Sequence, residues 1–440
     1  MSLLIKNATI LTMNSALDIV EGDLWIDGGR IRGIGHLSPA PPALTVVDAA
    51  GAIVMPGFIQ THVHLCQTLF RGLADDLPLL PWLERRIWPL EAAHDAETLR
   101  ASARLAAAEL LLGGTTTVLT METVHDTDAI FEALVPTRLR AFVGKCLMNA
   151  GDGVPSRLLQ PAREAIDESL ALHDRWSGAA GGRVHAVIAP RFAISCTRDL
   201  LEAASAVSAA RQLRVHTHAS EQRAEIAIVR AQTGLDNLAY LASLGLATER
   251  LCAAHCVWAT DAEQAILAER SVNVLHCPGS NLKLGSGVAP VVEMRARGIH
   301  VSIGADGAAC NNTLDMFHEM RLAATLQAMR LGPGALPARQ IVEMATREGA
   351  VALGISHEVG SIEPGKKGDV IVVERSDLHQ VPGRDPYSVL VYASRASDVR
   401  LTVVDGQIVA RDGALVWADR RDIGDEARTA TKKLLTRAGF

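Results

Sequence analysis

His62 and His64 stand two residues apart in FIQTHVHL, so on a strand both imidazoles point to one side. His218 closes LRVHTHA, with Glu221 three residues on, while His255 sits in LCAAHCVW and Asp306 in HVSIGADG. These runs are otherwise largely apolar. Each imidazole or carboxylate is therefore headed for a buried place, where it needs a partner. A lone strand histidine is ordinarily a hydrogen-bonded core residue. Several of them, with a carboxylate, recurring at strand ends are best satisfied together by one divalent metal.

Residues this far apart in sequence meet only if their strands open onto one mouth. Eight β-type runs can be counted: FIQTHVHL, TTTVLTM, LRAFVGKCLM, RVHAVIAP, LRVHTHA, LCAAHCVW, VNVLHCP and HVSIGADG. Helical stretches rich in Ala and Leu separate them, among them ETLRASARLAAAELLLGG and TRDLLEAASAVSAARQ, the latter with Thr197 as its expected N-cap. The alternation predicts an α/β fold, a (β/α)8 TIM-type barrel over residues 56–355. Its polar residues fall near the C-terminal ends of the first, fifth, sixth and eighth strands, where barrel active sites sit. A doubly wound open sheet is the rival, but no Gly-rich dinucleotide loop supports it, and the GSG at 285–287 lacks a third glycine. The first 50 and last 80 residues read as short alternating strands with Gly and Asp turns, VDGQIVARDG being a hairpin candidate. They predict a small β-sandwich domain built from both termini, residues 1–55 and 356–440, the second part carrying a C-terminal helix.

Composition agrees and excludes. Of 440 residues, 48% are hydrophobic and 21% charged, which rules out a disordered chain. Aromatics are only 4%, so the core must be aliphatic, as buried parallel strands require. The net charge of −6 argues against a nucleic-acid partner. No apolar stretch approaches the ~20 residues of a membrane helix, and MSLLIKNATILTM lacks the pattern of a secretory leader. A soluble, cytoplasmic protein without a membrane partner is expected. Seven cysteines scattered from Cys66 to Cys310 read as buried thiols rather than a disulfide framework. No PCxxC pair occurs, HEMRL at 318–322 lacks a second zincin histidine, and the cysteines of CAAHC read as structural.

PGFIQTHVHL at 56–65, HTHASE at 216–221, AAHC at 253–256 and GADGAACNN at 304–312 resemble the amidohydrolase superfamily. The chain is most similar to the branch holding S-adenosylhomocysteine/methylthioadenosine deaminases, triazine hydrolases and guanine deaminases. CPGSNLKLGSGVAPV at 277–291 and DDLPLLPWLERRIWPLE at 75–91 strengthen the adenosine-type end. The resemblance covers almost the whole chain. Together with the spacing it implies His62, His64, His218 and Asp306 as ligands of one divalent metal per chain, zinc with iron as a substitute. Many binuclear relatives carry a bridging Lys on the fourth strand. RVHAVIAPRF has none, so a mononuclear site is expected. The implied catalytic residues are Asp306, accepting a proton from the attacking water, His255, holding that water or polarising the tetrahedral centre, and Glu221, protonating the ring nitrogen.

For the substrate, the resemblance implies that Trp82 stacks on a purine or covers an apolar 5' substituent and that Glu91 holds ribose hydroxyls, both within a long capping loop from Cys66 to Glu91. Arg157 matches the pattern approximately. Lys145 and Arg191 depart from it, standing where adenosine-type relatives tend to place Arg and His, and Arg191 would favour an oxo or anionic substituent. Cys310 is expected near the leaving group, and Asn281 to fix a loop. The function implied is hydrolytic deamination of an aminated purine or a purine-nucleoside-like heterocycle such as S-adenosylhomocysteine or methylthioadenosine. The alternatives are another aminated or halogenated heterocycle, such as guanine, a pterin or an s-triazine, and a non-catalytic interaction protein. Family habit implies a homo-oligomer.

Overall fold

Period-two alternation at the two ends of the chain builds one sheet. Its N-terminal strands are β1 (Ser2–Leu11), β2 (Ile19–Asp27), β3 (Arg30–Gly35), β4 (Thr45–Asp48) and β5 (Ile53–Pro56). After the middle of the chain come β15 (Val370–Val373), β16 (Val399–Val404), β17 (Gln407–Arg411) and β18 (Ala414–Leu415). The two halves join where β5 pairs antiparallel with β15, Val54 opposite Val372. The order is β18-β17-β16-β15-β5-β1-β2-β3, with β4 beside β1. This continuous sheet wraps over a core of its own, containing Leu3, Ile5, Ile10, Ile26, Val54, Val370, Val372 and Val403. The alternate residues Ile53, Met55, Ile371 and Val373 face the other way and join the core of the middle segment. Asp405 and Gly406, at φ 53° and 71°, form the tight turn of the expected β16–β17 hairpin.

The middle of the computed structural model, which describes residues 2–39 and 41–440, is the barrel. Its strands are β6 (Phe58–His64), β7 (Thr115–Met121), β8 (Arg140–Leu147), β9 (Val184–Pro190), β10 (Val215–Ala219), β11 (Leu251–His255), β12 (Asn273–His276), β13 (Val301–Ile303) and β14 (Asp306–Gly307). All the pairings from β6 to β13 are parallel, and β14 returns to β6, Asp306 opposite Val63. The expected eighth strand is thus one segment in two pieces, β13 bound to β12 and β14 bound to β6, which closes the ring. Gly304 between them makes this closure feasible, because a Cβ there would lie 2.6 Å from the backbone of His62. Helices such as Ala96–Leu112 and Ala162–Trp176 cover the outside. Thr197 stands at an N-cap, but its side chain accepts from Asn149 instead of capping.

Two features differ from expectation. The segment 66–91 is not a loop but a folded cap: a 3-10 turn at Leu65–Phe70, then helical turns from Leu79 to Ala92. Leu79, Trp82, Leu83, Ile87 and Trp88 anchor it in a third apolar cluster. The C-terminal helix, Arg420–Ala438, packs on the barrel helix Ala96–Leu112, with Ala427, Ala430 and Leu434 entering that same cluster. Arg104 pairs with Glu426 at 2.9 Å along this contact. No helix is long and apolar enough to cross a membrane among the described residues.

Candidate metal centre and active site

His62 and His64 leave β6 on one face, and His216 and His218 leave β10 in the same way. His255 and Asp306 stand where β11 and β14 meet the loops, and both adopt left-handed backbone, φ 71° and 63°. A non-glycine residue in this region costs roughly 1–2 kcal/mol, so the fold accepts strain at both positions where a strand end must be re-aimed.

Second partners fix which nitrogen each ring offers. His64 Nδ1 lies 2.7 Å from the Met121 carbonyl and His218 Nδ1 2.8 Å from that of Arg191. A carbonyl only accepts, so both Nδ1 atoms carry the proton and both Nε2 atoms are lone pairs. His216 Nδ1 faces the Thr120 carbonyl at 3.3 Å, which leaves its Nε2 to accept from His62 Nδ1 at 2.7 Å. The Nε2 of His62 is thereby also a lone pair. His255 Nδ1 is held at 2.8 Å by Asn281 Oδ1. His216 received no role in the sequence, though HTH invites the same one-sided reading as HVH. Asn281 does more than fix a loop.

The lone pairs converge. The ligand atoms of His62, His64 and His218 lie within 4.8 Å of one another, as do those of His62, His255 and Asp306. His64 Nε2 is 3.2 Å from His218 Nε2, and Asp306 Oδ1 is 3.3 and 3.2 Å from the Nε2 atoms of His62 and His64. Two imidazole lone pairs that close repel unless positive charge lies between them. Burial holds His62 down to about 4 and His218 well below its ordinary value, which keeps both rings neutral. Burial also works against a proton on His64, but the hydrogen bond and charge of Asp306 outweigh it and raise His64. Asp306 is driven far down because His62 and His64 outweigh its own burial. The neutral rings of His62 and His218, set with His64 around an ionised carboxylate, and a His62 Nε2 with no hydrogen-bond partner among the described residues fit a divalent cation of zinc type.

Beside this cluster, His255 Nε2 is 3.6 Å from Glu221 Oε2 and 3.8 Å from Asp306 Oδ2. Burial raises the Glu221 carboxyl above its ordinary range, with His255 opposing and Asp306 adding. Ser286 donates to Glu221 Oε1 at 3.2 Å, and Glu225 Oε2 accepts from the Glu221 backbone N–H at 2.9 Å. The helix opens at Arg223, and Glu225 is its capping-box carboxylate, so Glu221 is left free of that duty. Ser286 belongs to the GSG that as a dinucleotide loop meant nothing, and its spacing to Glu221 carried no signal.

The cavity over the cluster is lined by His64, His218, Glu221, His255 and Asp306 together with Gln67, Leu79, Trp82, Leu83, Arg191, Phe192 and Leu284. It closes on about 10 Å³, room for about one water. Of the sequence-derived substrate residues, the structure brings Trp82 and Arg191 to this wall. Glu91 lies just behind it in a buried two-pronged pair with Arg191, and Gln67 Nε2 donates to its Oε1 at 2.9 Å. Arg157 sits on the far side of Glu91, half exposed, donating to the His94 carbonyl at 3.1 Å. Lys145 does not reach the cavity; it donates to Gln160 at 2.7 Å and pairs with Glu168 at 3.4 Å, on the helix side of β8. Cys310 is buried against the Gly307 carbonyl, 3.1 Å away, and does not line the cavity. Gln67 and Phe192, which stacks on His218 with ring centroids 4.5 Å apart, were not singled out in the sequence.

Residues 53–409 match the model of the amidohydrolase family. Over 439 residues the chain is 39% identical to a 5'-deoxyadenosine deaminase of Methanosarcina mazei, covering 99% of each. Over 425 residues it is 39% identical to a 5-methylthioadenosine/S-adenosylhomocysteine deaminase of Moorella thermoacetica, covering 96% of this chain and 97% of the relative. Among solved structures, an adenosine deaminase from Xanthomonas campestris with bound zinc superimposes with a TM-score of 0.93 at 32% identity, covering 99% of this chain and 98% of that one.

Proposed function

Since the chain belongs to the amidohydrolase family, we propose that it is a metal-dependent hydrolytic deaminase of an aminated purine or purine-nucleoside-like heterocycle. The observation that carries this reading is the convergence of three imidazole Nε2 atoms and Asp306 beside the Glu221–His255 pair, on a cavity lined by His64, His218, Asp306, Glu221 and His255. The full-length likeness to enzymes named as deaminases of 5'-modified adenosines supports it.

His62, His64, His218 and Asp306 would hold the ion. Zinc is the reading favoured by the nitrogen-rich donor set and by the zinc of the adenosine deaminase relative. A divalent ion there supplies the Lewis acid that makes water nucleophilic near neutral pH. Asp306 accepts the proton of the attacking water through the oxygen that faces His255. His255, its Nδ1 proton held by Asn281, turns Nε2 toward the same point and orients the water. Glu221, which burial keeps inclined to hold a proton, delivers it to the ring nitrogen beside the attacked carbon. The C–O bond forms, the C–N bond to the amino group breaks, and the nitrogen leaves as ammonia with the proton that Asp306 accepted, while the remaining hydroxyl proton of the added water returns to Glu221. Asn281, Ser286 and Glu225 keep the two acid–base groups in register.

The test is ammonia release by purified, zinc-loaded protein from 5'-deoxyadenosine, methylthioadenosine, S-adenosylhomocysteine, guanine and pterin. Release from at least one, suppressed by a chelator and restored by zinc, is expected. A fully zinc-loaded protein inert toward all of them overturns the reading.

A further inference from the structure

His216, fully buried on β10, neither lines the metal cavity nor belongs to the converging ligand atoms. No step of the proposed reaction uses it. Its ring is nonetheless matched at both nitrogens, Nε2 lying 2.7 Å from His62 Nδ1 and Nδ1 3.3 Å from the Thr120 carbonyl. The two imidazoles meet edge to face, with centroids 4.9 Å apart and planes at 87°. Burial, with His62 and His64 adding, keeps His216 neutral, so the ring holds a single proton. On Nε2 that proton would leave the Nδ1 lone pair facing the lone pairs of a carbonyl. On Nδ1 it satisfies Thr120, and Nε2 can then only accept. The proton of His62 is thereby drawn to its own Nδ1.

The consequence falls at the other end of the His62 ring. Asp306 Oδ1 is 3.3 Å from His62 Nε2, and Asp306 is held ionised. A proton on His62 Nε2 would bond to that carboxylate and use up the lone pair an ion needs. His216 disfavours this competing tautomer, because it would set the lone pair of His62 Nδ1 against that of His216 Nε2. His64 is directed in a parallel way, its Nδ1 donating to the Met121 carbonyl at 2.7 Å. Thr120 and Met121 are neighbours at the end of β7, a strand that supplies none of the converging ligand atoms. Glu122, next along the chain, accepts from the Cys66 N–H at 2.8 Å and ties the turn after His64 to the same place. One strand end thus orients His64 directly and His62 through a second imidazole.

We propose that His216 is a positioning residue of the metal centre: with Thr120 it fixes the His62 proton on Nδ1 and keeps Nε2 open for the ion against the competing bond to Asp306. This rests on the metal-dependent reading and adds to it a residue outside both the ligand set and the cavity wall.

The experiment measures zinc affinity, by competition with a chromophoric chelator, for the unaltered protein, His216→Leu and His216→Gln. Losing the outer partner of a metal-binding imidazole lowers affinity by about 10–100-fold, and His216→Leu should lose about that much. In His216→Gln an amide oxygen can take over as acceptor and should recover most of the loss. Thermal unfolding of the zinc-free proteins is read alongside, since a packing role would destabilise the variants without separating their zinc affinities. A further arm needs no variant to fold: NMR of isotope-labelled histidine in the zinc-free, unaltered protein should show both His62 and His216 with the proton on Nδ1. Zinc affinity in His216→Leu within about threefold of the unaltered protein overturns the proposal, because the expected loss is at least about tenfold. So does an equal loss in the Leu and Gln variants, or a proton on His62 Nε2. Each of these leaves the metal-dependent deaminase reading standing. An unaltered protein that takes up no zinc overturns both.

Discussion

The barrel carries a buried cluster of charge at each end, and the two are built on opposite rules. At the N-terminal end, Arg140 opens β8 and donates to both oxygens of Asp369 at 3.0–3.2 Å. Asp369 also accepts from the backbone of Asp405, whose carboxylate meets Lys367 at 3.0 Å and Arg183 at 3.4 Å. Every charge there faces an opposite charge, and the Arg140–Asp369 and Arg183–Asp405 pairs cross from the barrel to the terminal segment. At the C-terminal end, four imidazoles crowd one carboxylate, and the Nε2 atoms of His62 and His255 have no hydrogen-bond partner among the described residues. The first cluster closes on itself and joins the terminal sheet to the barrel. The second is the site proposed to take an ion. Burial alone does not mark a functional site; burial with unmatched atoms turned toward a common cavity does.

The sharpest way to break this contrast is to neutralise one charge at each end. Glu221→Gln at the upper end should lower kcat by about 10²–10⁴. Zinc content and thermal stability should stay near those of the unaltered protein, because burial already disfavours the charge there. Metal analysis and ammonia release on one preparation check it, and undiminished turnover would dismiss Glu221 from the chemistry.

Arg140→Met at the lower end should do the reverse. It strands Asp369 in an interior with no cation at bonding distance, and breaking such a pair costs roughly 3–5 kcal/mol. Urea unfolding should register that loss, while kcat per zinc-loaded molecule stays unchanged. A fall in kcat with stability intact would mean that the two ends are coupled and do not divide stability from chemistry.

How much of this contrast the sequence discloses follows from what sequence records. The barrel was legible because each strand is buried on both sides and reads as a short β-branched and apolar run between turns, as TTTVLTM does. The proposed metal ligands His62, His64, His218 and Asp306, with His255 beside them, were legible because they interrupt those runs. What stayed hidden depends on which face a side chain leaves and on contacts across long separations. Lys145 looked like a pocket cation, but its face of β8 is turned to the helix carrying Glu168. Ser286 reaches Glu221 across 65 residues and Gln67 reaches Glu91 across 24, and neither spacing has a pattern. Arg191 stood out as a departure in the sequence. That Glu91 holds it could be learned only from the fold.

The smallest predicted effect separates the two ends by pH. Burial raises Glu319 and Glu225, near the upper end, to about 8, and Glu122 to about 7. A carboxyl that binds its proton more tightly folded than unfolded makes stability fall as pH climbs from its ordinary value toward the raised one. The upper end should therefore weaken the protein between about pH 5 and 8. Asp405 has the opposite sign: Lys367, Arg140 and Arg183 outweigh its burial and lower it. Its contribution is present above its ordinary value near 3.8 and is lost as pH falls through the lowered one. Unfolding measured from pH 3 to 9 should therefore decline at both extremes for different reasons. Glu319→Gln keeps the hydrogen bond of its side-chain oxygen with the Gly279 N–H and should flatten the decline from pH 5 to 8, by about 1 kcal/mol or more. Asp405→Asn, tolerated in left-handed backbone, should flatten only the acid limb and lower stability at neutral pH. If Glu319→Gln left the slope above pH 5 untouched, the buried carboxyls of the upper end would be ionised in the folded protein, and the ends would differ in partners but not in the sign of their charge.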